Sequence, residues 1–121
     1  AKRRPWGWEA FCSGARRSTS LDAVKWAAEA VERGAGEVFA TSIDEDGRGK
    51  GIDAELLAWL APLSVPVVIS GGLAGHPDAR DAWLAGASGI ASSSYLHHNA
   101  NRIAAIKESL HFVGVPVRCD Q

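Results

Sequence analysis

The stretch that decides the fold is Val65-Pro66-Val67-Val68-Ile69-Ser70-Gly71-Gly72. Its residues at 65–69, which are all β-branched except Pro66, predict a strand that is buried on both faces, as strands of parallel sheets are. The two glycines that follow predict a tight turn, because glycine adopts backbone conformations that other residues avoid. Two further strands are predicted at 37–41 and 89–93, each after a glycine-led turn. Helical segments separate the three strands, so we expect one parallel sheet with right-handed crossovers.

The helices are predicted at 21–33, 54–60, 77–84 and 101–112. Thr19 or Ser20 is the expected N-cap of the first helix and Asp53 that of the second, since short side-chain oxygens accept hydrogen bonds from free backbone N–H groups there. Pro77 fits the first turn of the third helix, where its missing N–H is not needed. Together these elements predict a single α/β domain over residues 1–121.

The first twenty residues are basic and aromatic and predict a loop or a short β-hairpin around 7–12. Glu9 is the only acidic residue among the cations Lys2, Arg3, Arg4, Arg16 and Arg17. Such a segment is either a solvated tail or a mobile loop that binds an anion, and the sequence leaves both interpretations open.

Composition excludes several function classes. The chain has 121 residues, a hydrophobic fraction of 46% and a net charge of −1, which gives no reason to expect a nucleic-acid or membrane partner. The length suits one domain and is about half of what a closed (β/α)8 barrel needs. Cys12 and Cys119 lack metal-ligand spacing, so we expect two reduced thiols, no metal, no cofactor and a cytoplasmic location.

Two of the strand ends carry groups that suit an anion. Gly71 and Gly72 let backbone N–H groups approach a phosphate closely, and Ser92-Ser93-Ser94 supplies hydroxyl groups after the next strand. Consecutive strand ends of this kind match the phosphate site of the last two units of a (β/α)8 barrel. The alternative is a pair of ordinary turns without a ligand.

The segment Thr41-Ser42-Ile43-Asp44-Glu45-Asp46-Gly47 places carboxylates after the first strand. Such groups could transfer protons or polarise a substrate. They could also hold a hard cation, although the other ligands of a calcium loop are missing. The alternative is a solvated Asp-Gly turn. His97 and His98 point in different directions on a helix, which argues against a joint metal site, and His76 and His111 are expected at the surface.

In these motifs the chain resembles the C-terminal half of the cyclase subunit of imidazole glycerol phosphate synthase, a family of histidine biosynthesis. The resemblance covers essentially the whole chain. It is carried by seven segments, at 7–11, 21–27, 33–37, 41–47, 66–72, 84–87 and 115–118.

The resemblance implies half of a (β/α)8 TIM barrel that contains its strands six, seven and eight. It implies that one phosphate of a bisphosphate substrate is bound by Gly71, Gly72, Ser93 and Ser94. It also implies auxiliary catalytic roles for Asp46 and Asp44, and substrate-lining positions for Thr41, Ser42 and Ser70. The family pattern has Ala-Ser where this chain has Ser93-Ser94, a change that should still bind an anion.

In the family, the two catalytic aspartates lie at the ends of strands one and five, the second within Asp-Ala-Lys-Arg. This chain begins at Ala1-Lys2-Arg3, so the resemblance implies that both aspartates and the second phosphate site are absent. We therefore expect little activity without a complementary N-terminal half-barrel. The family's glutaminase subunit is not expected to dock, because half a barrel encloses no passage for ammonia.

Three functions remain open at this point. The first is a cyclase-type lyase fragment, and the second is a module that binds a phosphorylated small molecule without converting it. The third is a structural half-barrel. A lone copy would expose the inner face of its sheet, so we expect self-association, most simply as a homodimer.

Overall fold

The computed structural model describes residues 1–97 and 101–118, and within them the chain forms two sheets and a layer of helices. The antiparallel sheet has the order β1-β2-β3 and comprises β1 (Lys2–Arg4), β2 (Gly7–Cys12) and β3 (Arg17–Asp22). The rest of the described chain forms α1 (Ala23–Glu32), β4 (Val38–Thr41), α2 (Ala54–Leu60), β5 (Val67–Ser70), α3 (His76–Leu84), β6 (Gly89–Ala91), α4 (Ser94–His97) and α5 (Asn101–Phe112).

The second sheet is parallel and has the order β4-β5-β6. Thr41 pairs with Ser70, and Ser70 pairs with Ala91, so the carboxyl ends of all three strands lie at one edge. The predicted α/β class with a parallel sheet and crossover helices is confirmed.

The core lies between one face of the parallel sheet and the helices. Val67 and Ile69 point to this face and are 2% and 0% exposed. They pack with three leucines of α2, at 56, 57 and 60, whose spacing places them on one side of a helix. Each fully buried leucine contributes about 1.5–3 kcal/mol, so this layer is the main source of stability.

The other face of the parallel sheet is more open. Phe39, Val68 and Gly89 are paired in register across the three strands. They lie on this face because their positions alternate with those of the core residues. Phe39 is 59% exposed and Val68 is half-buried. The prediction that residues 65–69 are buried on both faces therefore holds fully only for the side facing the helices.

The first helix begins later than predicted. Its N-cap is Asp22, whose Oδ1 accepts hydrogen bonds of 3.0 Å from Val24 N and Lys25 N. The predicted caps are wrong because they belong to β3, where the Thr19 hydroxyl donates to Ala10 O and Ser20 has φ 59°. The cap of α2 is as predicted, since Asp53 Oδ1 accepts from Leu56 N at 2.9 Å.

The basic N-terminal segment is a folded sheet rather than a free tail. Glu9 is 3% exposed and accepts hydrogen bonds from the Ser18 hydroxyl, from Arg4 Nε at 2.6 Å and from Ser20 N at 2.9 Å. These bonds hold the pKa of Glu9 at about 2, below its ordinary value of 4.5; the Ser18 hydroxyl is the largest cause and Arg4 the next. A buried carboxylate thus joins β1, β2 and β3.

The last strand is shorter than predicted. β6 ends at Ala91, and Ser94 opens the short helix α4, which the sequence pattern did not indicate. Among residues 1–97 and 101–118, no helix has the length and apolar character needed to cross a membrane. His98 and Cys119 lie outside the described residues.

Candidate functional site

The predicted site residues leave the parallel sheet at its carboxyl edge. Thr41, Ser70 and Ala91 form one row across β4, β5 and β6. The segments that follow them, at 42–51, 71–75 and 92–94, therefore start side by side, since neighbouring strands lie about 4.8 Å apart. The structure thus brings the glycine pair and the serine run to the same edge.

Gly71 and Gly72 allow a close approach of this chain's own backbone. Both are buried and have positive φ angles of 97° and 87°. A Cβ at Gly71 would lie 2.7 Å from Ser42 O, and one at Gly72 would lie 2.1 Å from Gly51 O. Gly51 N also donates to Gly72 O at 2.8 Å. The glycines are therefore required for packing the 42–51 loop, whether or not they also contact a ligand.

Ser42 is buried and makes a structural hydrogen bond, so its side chain is not accessible to a ligand. Its side chain is 0% exposed and its hydroxyl donates to Asp53 Oδ2 at 3.0 Å. The Trp8 indole donates to the same oxygen at 3.1 Å. Asp53 consequently joins three parts of the fold, because it also caps α2. The sequence indicated the cap, but no local pattern indicated the bonds from Ser42 and Trp8.

The two candidate carboxylates have different surroundings. Asp44 Oδ2 accepts from Arg3 N at 2.6 Å, which directs Asp44 toward the antiparallel sheet. It lines a polar cavity of about 550 Å³ together with Arg48 and Lys50. Asp46 is exposed, and its backbone N donates to Ser42 O at 3.0 Å, close to Gly71. Both aspartates belong to the 42–51 loop, and Asp46 is the one whose backbone N lies beside Gly71.

Ala1 joins the two sheets at the same edge. Its N donates to Thr41 O at 2.6 Å, and Ile43 N donates to Ala1 O at 2.8 Å. Donating to one residue and accepting from the residue two positions later is the pattern of a parallel bridge. The start of β1 thus lies beside the end of β4, on the opposite side from β5.

The serine run is accessible. Ser93 and Ser94 are exposed, and Ser93 O accepts hydrogen bonds of 3.0 Å from Leu96 N and His97 N. These bonds form the turn from which α4 starts. His97 is exposed, as are His76 and His111. Within the described ranges 1–97 and 101–118, no cluster of three or more His, Cys, Asp or Glu residues has metal-site geometry.

Comparison with known proteins gives a consistent result. The model of a family described as histidine biosynthesis protein matches residues 1–102. The imidazole glycerol phosphate synthase subunit HisF of Pyrobaculum aerophilum is 43% identical over 112 residues, which are 92% of this chain and 44% of that protein. The crystal structure of the Amycolatopsis orientalis BexX/CysO complex matches with a TM-score of 0.58 and 18% identity, over 81% of this chain and 44% of that one. The likeness to the Amycolatopsis orientalis structure shows the fold alone. The chain spans less than half the length of either relative.

Proposed function

Because the chain belongs to the histidine biosynthesis protein family, we propose that it is the phosphate-binding half of a cyclase-type lyase. The observation that carries the proposal is the common edge from which the segments after Ser70 and Ala91 depart. In this function the backbone of Gly71 and Gly72 and the hydroxyls of Ser93 and Ser94 surround one phosphate of a phosphorylated small molecule. Thr41 and Ser70, the last residues of β4 and β5, lie next to the reacting part of that molecule.

Electrostatics at this edge support an anion. The α3 helix starts at His76, after the loop that leaves the carboxyl end of β5, so the free N–H groups of its first turn lie at this edge, although Pro77 supplies none. Asp78 in that turn is already engaged, because its Oδ2 accepts from Ala74 N at 2.8 Å. The exposed hydroxyls of Ser93 and Ser94 are neutral hydrogen-bond donors. A phosphate bound to them would displace water, and no carboxylate would have to be buried beside it.

We assign only an auxiliary acid–base role to the aspartates of the 42–51 loop. Asp46 is the better candidate, since it is exposed and its backbone packs beside Gly71. Asp44 is held by Arg3 N and would act on substrate only by exchanging that bond. Neither residue is proposed as the principal acid or base of the lyase.

The half-barrel itself is proposed from the open face of the parallel sheet. Phe39, Val68 and Gly89 form a layer that a second set of strands would cover, with Thr41, Ser70 and Ala91 forming the next layer toward the edge. Parallel strands are stable when both faces are packed. A complementary half of the family's barrel satisfies this requirement.

Phosphate binding is tested by thermal unfolding with and without inorganic phosphate. We expect phosphate to raise the Tm of the wild type and not that of Ser94→Asp, because the new carboxylate repels the anion. Ser88→Asp is the matched control: Ser88 is also exposed, but it precedes β6, at the opposite edge. A substitution at Gly72 is unsuitable, since any Cβ there collides with Gly51 O.

The binding proposal is wrong if phosphate leaves the wild-type Tm unchanged, or if Ser94→Asp responds as the wild type does. Lyase activity is tested separately, by mixing the chain with an N-terminal half of the family's barrel and assaying cyclisation in the presence of ammonia. Phosphate binding without turnover in that mixture would favour the second function, a phosphometabolite-binding module.

Self-association is a second candidate property, favoured by the 59% exposure of Phe39 on the open sheet face. A homodimer would cover this face with its own copy. Sedimentation of the wild type should then give a mass above that of the monomer at micromolar concentration, and Phe39→Lys should reduce it to the monomer mass. Glu37→Lys, at an exposed position before β4, controls for the added charge, and a monomeric wild type would contradict the idea.

A further inference from the structure

A second concave surface lies beside the antiparallel sheet, and its lining does not include the turns that follow β5 and β6. We define the aromatic groove as the cavity of about 780 Å³ between the β1–β2 turn, the start of α1 and the outer side of α2. Its characteristic side chains are Trp6, Trp8, Lys25, Glu55 and Trp59. Its volume falls within the range of about 300–1,000 Å³ that is typical of small-molecule sites.

Tryptophan is concentrated in this groove. Three of the chain's five tryptophans line it. Trp8 is 3% exposed and forms the floor, whereas Trp6 and Trp59 are 55% and 61% exposed and come from different elements. Large aromatic side chains left in water are unfavourable unless a partner covers them, and indole rings bind planar apolar groups well. The groove therefore offers stacking surface that the fold itself does not use.

Most of the charged side chains that line the groove already interact with other groups of the chain. Arg3 forms an ion pair with Glu55, and its guanidinium also lies over the Trp8 ring, 4.5 Å from the centroid. Arg4 is bonded to Glu9. Asp22 accepts two backbone hydrogen bonds as the N-cap of α1.

Lys25 differs from these groups. It is exposed, and among residues 1–97 and 101–118 no ion pair involves it. The Lys25 ammonium is therefore the charged group of the groove that is available to a ligand, and it would pair with a negatively charged group. Lys25 lies in the first turn of α1 and lines the groove together with Trp6, Trp8 and Trp59.

We propose that the aromatic groove binds a small planar aromatic ligand that carries one negative charge. The ring of this ligand stacks on Trp6 and Trp59, and its anionic group pairs with Lys25. The site is separate from the phosphate edge, although the Arg3–Glu55 pair forms a wall common to the groove and the polar cavity beside Asp44. The proposal does not depend on the proposed function, because none of the groove's characteristic residues belongs to the phosphate site.

The test uses 2-naphthoate as the probe and 2-naphthamide as its neutral counterpart. Nuclear magnetic resonance of the indole N–H groups follows each tryptophan separately. We expect naphthoate to shift the signals of Trp6 and Trp59 in a saturable way and to leave that of Trp26 unchanged. Trp26 is 45% exposed but lies outside the groove, so it reports on nonspecific binding to exposed indoles.

Two variants separate stacking from charge. Trp59→Ala should weaken naphthoate binding about tenfold through lost stacking, whereas the matched Trp26→Ala should leave it unchanged. Lys25→Gln should weaken naphthoate about threefold, as for an exposed ion pair, and leave naphthamide unaffected. All three residues are exposed, so the variants should fold.

The proposal fails if millimolar naphthoate shifts neither groove signal, or if Trp26→Ala weakens binding as much as Trp59→Ala. Equal affinity for naphthoate and naphthamide would refute the choice of an anion. A dependence of the Trp6 and Trp59 signals on protein concentration without any probe would show that a second copy covers the groove, which would also overturn the proposal.

Discussion

The antiparallel and parallel sheets reach stability by different means. The antiparallel sheet over residues 2–22 contributes Trp8 to the apolar core, and its three strands are joined by polar contacts to one buried carboxylate, Glu9. The parallel sheet is held by apolar packing of Val67 and Ile69 against α2. Apolar burial is insensitive to charge, whereas a carboxylate network depends on protonation. The two regions should therefore respond differently to mutation and to pH.

The largest expected effect is in the parallel region. Leu56→Ala removes a 0% exposed side chain from the core and should lower the free energy of unfolding by about 3–5 kcal/mol, because a cavity replaces it. Urea unfolding measures this change. Leu84→Ala is the control, since Leu84 is 67% exposed in α3, and its effect should stay below about 0.5 kcal/mol. Similar losses at both positions would contradict the location of the core.

The next effect concerns the link between the two regions. Asp53→Ala removes the cap of α2 and leaves the buried Ser42 hydroxyl and the Trp8 indole without their acceptor. We expect a loss of about 2–4 kcal/mol in the free energy of unfolding. Asp22→Ala, which removes only a helix cap, should lose about 1 kcal/mol. Equal losses would mean that Asp53 acts as a cap alone.

The smallest effect is a pH dependence confined to the antiparallel region. The folded-state pKa of Glu9 is lowered to about 2, so its contribution is complete above its unfolded value near 4.5. That contribution should decline as the pH falls through this window toward about 2, because protonation breaks the contacts with Ser18 and Arg4. Glu9→Gln should be less stable at pH 7 and should show a shallower decline in acid.

Acid titration of the Tm measures this difference, with Glu29→Gln as the control. Glu29 pairs with Arg33 on the exposed surface of α1, and its loss should change the profile little. Parallel acid profiles for the wild type and Glu9→Gln would show that Glu9 does not stabilise the antiparallel sheet.

The parallel region was predictable because its signals are local. The mostly β-branched stretch at 65–69 indicates a strand, which the structure places at Val67–Ser70, and the glycines after it indicate the turn. The antiparallel sheet was only partly predictable, because β3 is the polar stretch Arg17–Asp22 and its pairing with β2 depends on Glu9. Sequence reasoning could therefore suggest a hairpin around 7–12 but not its third strand.

At the candidate site, the sequence indicated which segments meet but not which side chains remain accessible. The common edge follows from strand direction alone. The burial of Ser42 does not, since it depends on Asp53, eleven positions away along the chain. The packing of Gly72 on Gly51 is likewise nonlocal, so the glycine pair predicted a turn but not its close contact with the 42–51 loop.

The central claim is that the turns after β5 and β6 form one site for one phosphate. A titration of the isotope-labelled chain with inorganic phosphate, followed at the backbone amides, tests this claim most directly. We predict that the amide signals of Gly72 and Ser94 shift along the same saturation curve, with one dissociation constant. Movement of only one signal, or of both with different constants, would contradict a shared site.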